Sequence, residues 1–203
     1  MSLRQQNKRQ ARINILAAAD KLIREKGIDS ATTREIAQLA RVSYQTLYNY
    51  FPNKVDIAHG FVESEMAAWA DAADNVTKHY AGDLIDSLLQ LTQVNLDLIE
   101  RMGHELIAYI TIETIKQGAA NSVFTTATRT AHEHYYALLN LAQGMGHLAK
   151  SLDLHLMAHT LFNLTDYAML RYFIEPIEGG QFLTSQRELF SLVITPYLVN
   201  ENP

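Results

Sequence analysis

The stretch Thr32–Lys54, TTREIAQLARVSYQTLYNYFPNK, decides how the rest of the chain is interpreted. Thr32 and Glu35 are spaced as a capping box, in which each side chain bonds the other residue's backbone N–H, and this spacing predicts the start of a helix. Ser43 offers a hydroxyl to cap a second helix that begins at Tyr44. The sequence therefore predicts two short helices joined by a tight turn.

The second of these helices carries polar side chains around most of its circumference. Leu47 and Phe51, four residues apart, give it one apolar edge. The rest of its surface has side chains that can bond nucleic acid, namely Tyr44, Gln45, Thr46, Tyr48 and Asn49. Glutamine and asparagine amides can pair with adenine in both directions, and tyrosine hydroxyls can reach phosphate or stack. Most helical hairpins only form part of a protein core. The polar second helix makes this one typical of a helix-turn-helix whose second helix enters the major groove.

The same stretch resembles the DNA-binding signature of the TetR family of transcriptional repressors, T-x-x-x-I-A, then V-S, then T-L-Y-x-Y-F and a lysine. The resemblance implies that Thr33 and Tyr50 bond phosphate and that Lys54 holds the DNA backbone. It implies contacts with base edges or sugar for Arg34, Gln45, Tyr48 and Asn49. Tyr44 and Thr46 complete the expected DNA-binding set.

Two positions depart from the family pattern. Arg41 stands where glycine is frequent in the turn, and Tyr44 stands where a small residue is frequent. Arg41 must then adopt the turn without the freedom of glycine at positive φ. Tyr44 places a large ring at the start of the second helix, and we expect it to alter the preferred DNA site.

Charge is divided unevenly along the 203 residues, whose formal net charge is −5. Residues 1–56 carry ten Lys and Arg against five Asp and Glu, whereas residues 57–203 carry seven against seventeen. Phosphate repels an acidic body, so we expect the basic N-terminal part to approach DNA. The basic lead with Arg4, Lys8, Arg9 and Arg12 is equally compatible with a frayed tail and with an arm in the minor groove.

Apolar residues recur at helical spacing along the whole chain. The pattern predicts an all-α fold of about nine helices. The resemblance to the TetR family implies a helix-turn-helix DNA-binding domain over 1–54 and a helical ligand-binding and dimerisation domain over 55–203. Outside the motif, the expected helices are 10–26, 55–80, 82–101, 104–117, 122–143, 153–175 and 184–199. Residues 104–117 contain enough Ile, Thr and Tyr to suggest a strand, but their helical neighbours favour a helix. Breaks rich in glycine, asparagine and proline are expected at 118–122 and 176–180.

The predicted helices 153–175 and 184–199 are apolar on nearly every side. A helix of that kind must be covered all round. One face can pack on its own domain, and a second copy of the chain is the expected cover for the other. TetR-like proteins pair in the same way, and the pair would hold two DNA-reading helices roughly 34–36 Å apart on a near-palindromic operator.

The resemblance further implies that the C-terminal domain encloses a pocket, and that a small molecule bound there moves the long fourth helix until the DNA-reading helices leave the grooves. An apolar pocket needs a few orienting polar groups. The candidates are Trp69, Asn95, Tyr109, Glu113, Thr128, Tyr135, Asn163 and Tyr167. For each residue alone, a core or surface role is the commoner explanation. The alternative is a DNA-binding dimer whose C-terminal domain binds a protein partner.

The sequence predicts no metal, cofactor or catalytic constellation. His155 and His159 lie four residues apart, with Asn163 and Asp166 along the same stripe, but a polar seam explains this pattern at least as well as a metal site. The chain has no cysteine, nucleophile elbow, phosphate loop or zinc-protease motif, so an enzyme is not expected. No apolar run reaches the ~18 residues of a membrane span. The expected location is the bacterial cytoplasm.

Overall fold

The structure, a computed structural model, describes residues 2–117, 123–175 and 178–199. Within these ranges the chain forms nine α-helices and a closing 3-10 turn. They are α1 (Leu3–Lys26), α2 (Thr33–Leu39), α3 (Tyr44–Tyr50), α4 (Lys54–Lys78), α5 (Leu84–Met102), α6 (His104–Gln117), α7 (Val123–Gly144), α8 (Leu154–Ile174), α9 (Gly179–Ile194) and the turn Thr195–Tyr197. The all-α prediction is confirmed, and the strand-prone segment is the helix α6. The breaks predicted at 118–122 and at Pro176 lie outside the described residues.

The first helix is longer than the sequence pattern indicated. α1 begins at Leu3 rather than near Gln10, because Ser2 and Gln5 form a capping box ahead of the apolar positions. The Gln5 backbone N–H donates to Ser2 Oγ at 3.3 Å, and the Gln5 side chain accepts the Ser2 N–H at 2.9 Å. The basic segment with Arg4, Lys8, Arg9 and Arg12 is therefore helical, and a frayed tail is ruled out. Its contact with the minor groove stays a prediction.

The last helix is displaced toward the N-terminus relative to its prediction. α9 begins at Gly179 rather than near Thr184, and it ends at Ile194 instead of continuing to Val199. The early start places Phe182 in the core, where it is 3% exposed. Burying that ring outweighs the poor helix propensity of the two leading glycines, for which the sequence pattern predicts a loop.

The helices group into two compact units. Unit one comprises Met1–Glu65 and Met102–Ala119, and thus α1, α2, α3, the first part of α4 and α6. Unit two comprises Met66–Arg101 and Ala120–Pro203, and thus the second part of α4 with α5, α7, α8 and α9. The functional division into 1–54 and 55–203 stays a prediction. None of the described helices combines the length and the apolar character needed to span a bilayer.

The core of unit one lies among α1, α2, α3 and the start of α4. Its buried apolar side chains include Ile15, Ala19, Ile28, Ile36, Leu47, Phe51 and Ile57. A Cβ added at Gly60 of α4 would lie 2.8 Å from Phe51 Cε1 and 3.0 Å from Leu16 Cδ2, so the absent side chain permits close packing. Arg12 of α1 donates to Glu63 of α4, and its guanidinium carbon lies 5.6 Å from the Phe51 ring centroid. Helices α1 and α4 therefore hold the end of α3 through Phe51.

A carboxylate of α6 contacts the end of α1 within unit one. Glu105 Oε1 accepts the backbone N–H of Ile28 at 3.1 Å. The preceding Gly27 has φ +82° and ψ 156°, a region that is essentially restricted to glycine. A Cβ at Gly27 would lie 2.8 Å from the same Glu105 oxygen. Glycine is therefore required here both by the backbone and by the contact with α6.

The interior of unit two contains two apolar clusters. The large cluster includes Leu88, Leu138, Leu161, Phe190 and Ile194. The small cluster consists of Leu96, Met169 and Phe182. Further apolar side chains stay on the surface of α8 and α9: Leu156 is 66% exposed, Tyr167 65%, Leu170 49% and Leu192 75%. A single copy of the chain leaves this apolar surface uncovered.

Candidate nucleic-acid interface

The start of α2 is fixed by the predicted capping box. Thr32 Oγ1 accepts the Glu35 backbone N–H at 3.3 Å, and Glu35 Oε2 accepts the Thr32 N–H at 3.0 Å. The Lys26 ammonium donates to Glu35 Oε1 at 2.6 Å. The hydrogen bond from Lys26, followed by those from Thr32, lowers the pKa of Glu35 from 4.5 to about 2. The capping-box prediction is confirmed, and the carboxylate also ties α2 to the end of α1.

The turn between α2 and α3 is a Schellman motif. The Arg41 N–H donates to Gln38 O at 3.1 Å, and the Val42 N–H donates to Ala37 O at 3.0 Å. Arg41 has φ +57°, and among the described residues it is the only non-glycine with a positive φ. The sequence left the geometry of this turn open, and the structure shows that Arg41 adopts the left-handed conformation that glycine usually takes at this position. The motif fixes the direction in which α3 leaves α2.

Helix α3 starts at a serine cap and exposes one polar face. Ser43 Oγ accepts the Thr46 backbone N–H at 3.0 Å, as expected. Leu47 is 1% exposed, which anchors the helix on its apolar edge. Tyr44 and Tyr48, each 49% exposed, lie on the outer surface. The helix is therefore held from one side and presents two phenol rings on the other.

Two side-chain amides complete the outer face of α3. Gln45 and Asn49 are exposed, and Gln45 Nε2 donates to Asn49 Oδ1 at 3.1 Å. This pair leaves the Gln45 carbonyl oxygen as an acceptor and the Asn49 amide nitrogen as a donor toward other partners. One acceptor and one donor side by side match the N6 and N7 edge of adenine in the major groove.

The remaining expected DNA contacts on α2 and α3 differ in their exposure. Arg34 is exposed near the start of α2, while Thr33 on the same turn is half-buried. Thr46 and Tyr50 are half-buried on α3, and the Tyr50 ring lies 6.5 Å from the Phe51 ring, centroid to centroid. The set thus divides into exposed side chains and others that are partly covered by the protein. Their roles toward DNA stay predictions.

Lys54 has a role inside the protein that the sequence did not indicate. Its ammonium donates to the backbone oxygens of Ile28 at 2.7 Å and Asp29 at 2.9 Å. An ammonium has three donors, so one is left for a phosphate. Those carbonyls lie 26 and 25 residues away along the chain, and no local sequence signal could have revealed them. Lys54 therefore ties the start of α4 to the loop between α1 and α2.

Three of the proposed pocket residues lie inside unit two. Trp69 Nε1 donates to Asn95 Oδ1 at 2.8 Å, and the Trp69 ring meets the His134 ring edge-on at 5.5 Å between centroids. Tyr135 is fully buried, and its hydroxyl lies 3.0 Å from Thr165 Oγ1. Burial raises the pKa of Tyr135, so this hydroxyl is neutral at physiological pH. The structure brings Trp69 and Asn95 together in one polar contact.

The other pocket candidates are dispersed. Tyr109 and Glu113 lie half-buried on α6 in unit one, where Glu113 accepts a hydrogen bond from Lys116 at 2.7 Å. Burial, and then the Glu113 carboxylate, raises the pKa of Tyr109. The surface of unit two carries Thr128, Asn163 and Tyr167. No contact groups the eight candidates as one set in the described structure, and their ligand roles stay predictions.

The paired histidines of α8 each contact a ring of α7. The His155 ring stacks on the Tyr136 ring, with centroids 4.3 Å apart and an angle of 18° between the planes. The centroids of the His159 and His132 rings lie 4.0 Å apart. Burial, and then the neighbouring His159, lowers the pKa of His132. In the ranges that the structure describes, no group of three or more histidines, cysteines or carboxylates is placed to hold a metal ion.

Comparison with known proteins identifies the N-terminal segment. Residues 15–60 match the family described as bacterial regulatory proteins, tetR family. The helix-turn-helix transcriptional regulator YvkB of Bacillus subtilis (strain 168), an uncharacterised protein, is 34% identical over 86 residues, which are 42% of this chain and 43% of that protein. The chain spans less than two thirds of the length of the curated relatives that it matches.

Solved structures with the same fold extend over nearly the whole chain. A protein of Mesorhizobium loti MAFF303099 described as a TetR-family transcriptional regulator has a TM-score of 0.74 at 18% identity, covering 95% of this chain and 98% of its own. Thermus thermophilus FadR, a TetR-family transcriptional repressor solved with lauroyl-CoA, has a TM-score of 0.67 at 23% identity, covering 95% and 97%. At these identities the likeness concerns the fold.

Proposed function

This chain belongs to the TetR family of bacterial regulatory proteins, and from that premise we propose that it is a transcriptional repressor that binds a near-palindromic operator as a homodimer. An apolar or amphipathic small molecule releases it from DNA. The observation that carries the proposal is the outer face of α3, where two half-exposed tyrosines flank the Gln45–Asn49 amide pair. Such a polar face on a rigidly capped helix fits base edges in the major groove.

Measuring the affinity for duplex DNA, selected from random or genomic fragments, tests the DNA-binding part. Gln45→Ala or Tyr48→Ala should weaken binding by about 1–3 kcal/mol at particular base pairs. Gln181→Ala serves as the matched control, because Gln181 is an exposed glutamine of α9 in unit two. If the Gln45→Ala variant has the same base preference as the Gln181→Ala control, Gln45 does not read the bases. If the wild-type chain shows no salt-sensitive affinity for any duplex, the proposal fails.

Lys54→Ala should weaken binding to all sequences by a similar factor and reduce the salt slope by about one. It should also destabilise unit one, because the carbonyls of Ile28 and Asp29 lose their ammonium donor. The two effects are separated by measuring salt dependence and denaturant unfolding on the same variant. A change in base preference would contradict a backbone role for Lys54.

The homodimer is proposed from the uncovered apolar surface of α8 and α9. Leu156, Tyr167, Leu170 and Leu192 are 49% to 75% exposed. Leu192 also borders an open depression of about 720 Å³, whose lining includes Pro196. A second copy related by a two-fold axis would cover these side chains and would set two α3 helices toward adjacent major grooves.

Sedimentation of the Leu192→Glu variant tests this surface. A carboxylate placed in an apolar interface should shift the chain from dimer to monomer, because burying an unpaired charge is unfavourable. Leu39→Glu provides the control, since Leu39 is an exposed leucine of α2 in unit one. If the Leu192→Glu variant remains dimeric, the pairing surface lies elsewhere.

The effector is proposed to be apolar or amphipathic because the interior of unit two is largely apolar. The fold is also that of Thermus thermophilus FadR, which was solved with lauroyl-CoA. Helix α4 supplies residues to both units, so a displacement of α4 is the proposed route from ligand to DNA. Twelve-carbon amphiphiles, lauroyl-CoA and dodecanamide among them, are added to the chain bound to its selected duplex, and at least one of them should lower the DNA affinity. If neither lauroyl-CoA nor any other amphiphile changes that affinity, release by a small molecule is wrong.

We place the chain in the bacterial cytoplasm, where its duplex target is found, and propose neither an enzymatic activity nor a cofactor. Its family and fold are those of transcriptional regulators. The alternative of a protein partner in place of a small molecule is not favoured by these comparisons.

A further inference from the structure

Four polar side chains lie deep in the interior of unit two. They are Thr92 of α5, Tyr135 of α7, Thr165 of α8 and Gln186 of α9, and each is at most 3% exposed. On α5, α8 and α9, the residue four positions to one side of the polar residue belongs to the large apolar cluster, and the residue four positions to the other side belongs to the small one. These flanking pairs are Leu88 and Leu96, Leu161 and Met169, and Phe190 and Phe182. The four residues therefore form a polar layer between the two clusters.

The three hydroxyl groups of the polar layer are paired within the protein. Thr92 Oγ1 donates to Leu88 O at 3.0 Å, and Thr165 Oγ1 donates to Leu161 O at 3.0 Å. Because the Thr165 hydrogen is already used, the Tyr135 hydroxyl donates to Thr165 Oγ1 at 3.0 Å. These groups require no further partner.

Gln186 differs from its three neighbours in the layer. Its side chain is 0% exposed, and neither Nε2 nor Oε1 has a hydrogen-bond partner among the described residues. Buried side-chain amides are almost always paired, because an unpaired donor or acceptor in an apolar interior is unfavourable. A molecule that enters the layer could pair both amide atoms at once.

We propose that Gln186 is the polar anchor of the effector site, and that the effector is an apolar molecule with an uncharged amide-type group. This inference rests on the proposed function. The Gln186 amide offers two N–H donors and one acceptor, so its partner must offer an acceptor and a donor together, as an amide does. No member of the polar layer is ionised at neutral pH, so a carboxylate would enter without a countercharge. The apolar parts of the molecule would contact the clusters on either side.

Replacing the anchor in the ligand-free chain gives the first test. Gln186→Met keeps the shape of the side chain and removes the unpaired amide, so it should raise the melting temperature by about 2–6 °C. The control is Gln181→Met, the same substitution at an exposed position of the same helix, which should change it little. A lower melting temperature for Gln186→Met than for Gln181→Met would mean that the amide is paired inside the protein, and the proposal would be overturned.

The second test compares the binding of two probes that have acyl groups of equal length and differ only in the polar group. Dodecanamide should bind the wild-type chain more tightly than dodecanoate at neutral pH. Gln186→Met should weaken dodecanamide binding by ~5–150-fold, whereas Gln181→Met should leave it unchanged. Equal binding of the two probes, absence of dodecanamide binding, or unchanged dodecanamide affinity in Gln186→Met would each overturn the anchor.

Duplex binding, measured on the same preparation, separates this inference from the function on which it rests. A chain that binds its selected duplex but shows no preference for the amide refutes only the role of Gln186. A chain that binds no duplex refutes the proposed function.

Discussion

Replacement of Arg41 by glycine should stabilise unit one. Arg41 has φ +57° in the turn between α2 and α3. For a residue other than glycine, the left-handed backbone conformation is unfavourable by about 1–2 kcal/mol. Glycine avoids that strain. It also gives the unfolded chain more conformational freedom, which lowers the free energy of unfolding by about 0.4–1 kcal/mol. The net gain expected for Arg41→Gly is therefore about 0–1.6 kcal/mol, with a midpoint of ~0.8 kcal/mol, or roughly 2–3 °C in melting temperature at that midpoint.

The charge of Arg41 has to be separated from its backbone conformation. Arg41→Ala removes the charge and retains the Cβ, so the difference between the glycine and alanine variants isolates the backbone contribution. Urea unfolding of both variants, followed by circular dichroism, gives that difference. We expect both variants to show the same salt slope in duplex binding, because both lose the same positive charge. If Arg41→Gly is no more stable than Arg41→Ala, the turn is not strained and the sequence-based argument about the missing glycine is wrong.

Three further substitutions test local features. Glu35→Gln should flatten the acid side of the stability curve: the pKa of Glu35 falls from 4.5 to about 2 on folding, so its contribution is complete above pH 4.5 and lost as the pH falls toward 2. Equal loss of stability in wild type and variant between pH 5 and pH 2 would contradict this. Gly27→Ala should destabilise the chain by about 1–3 kcal/mol in urea unfolding, because φ +82° and the nearby Glu105 oxygen both oppose a Cβ; a neutral result would refute the strain. Asn95→Leu should cost about 1–3 kcal/mol by leaving Trp69 Nε1 unpaired, and unchanged unfolding and tryptophan fluorescence would show that this bond is dispensable.

Features whose hydrogen bonds close within a few residues could be predicted from the sequence. The Thr32 and Glu35 capping box and the Ser43 cap each depend on a partner three positions away. Helix count and the two-sided apolar character of α8 followed from periodicity, since burial repeats with the helical turn. The error at α9 had a local cause as well: two glycines were interpreted as a break, while the burial of Phe182 extends the helix through them.

Tertiary structure alone decided which side chains meet across long stretches of chain. Lys54 bonds carbonyls 25 and 26 residues away, and Glu105 accepts an N–H 77 residues away. The polar layer around Gln186 likewise depends on the register of separate helices. Periodicity shows which residues share a face of one helix, but it does not show which helix packs against that face. The sequence by itself thus determined the helix-turn-helix motif, because its signals are short-range hydrogen bonds and local turns. The supports of that motif and the interior of unit two were decided by packing, because those contacts exist only once distant helices are assembled.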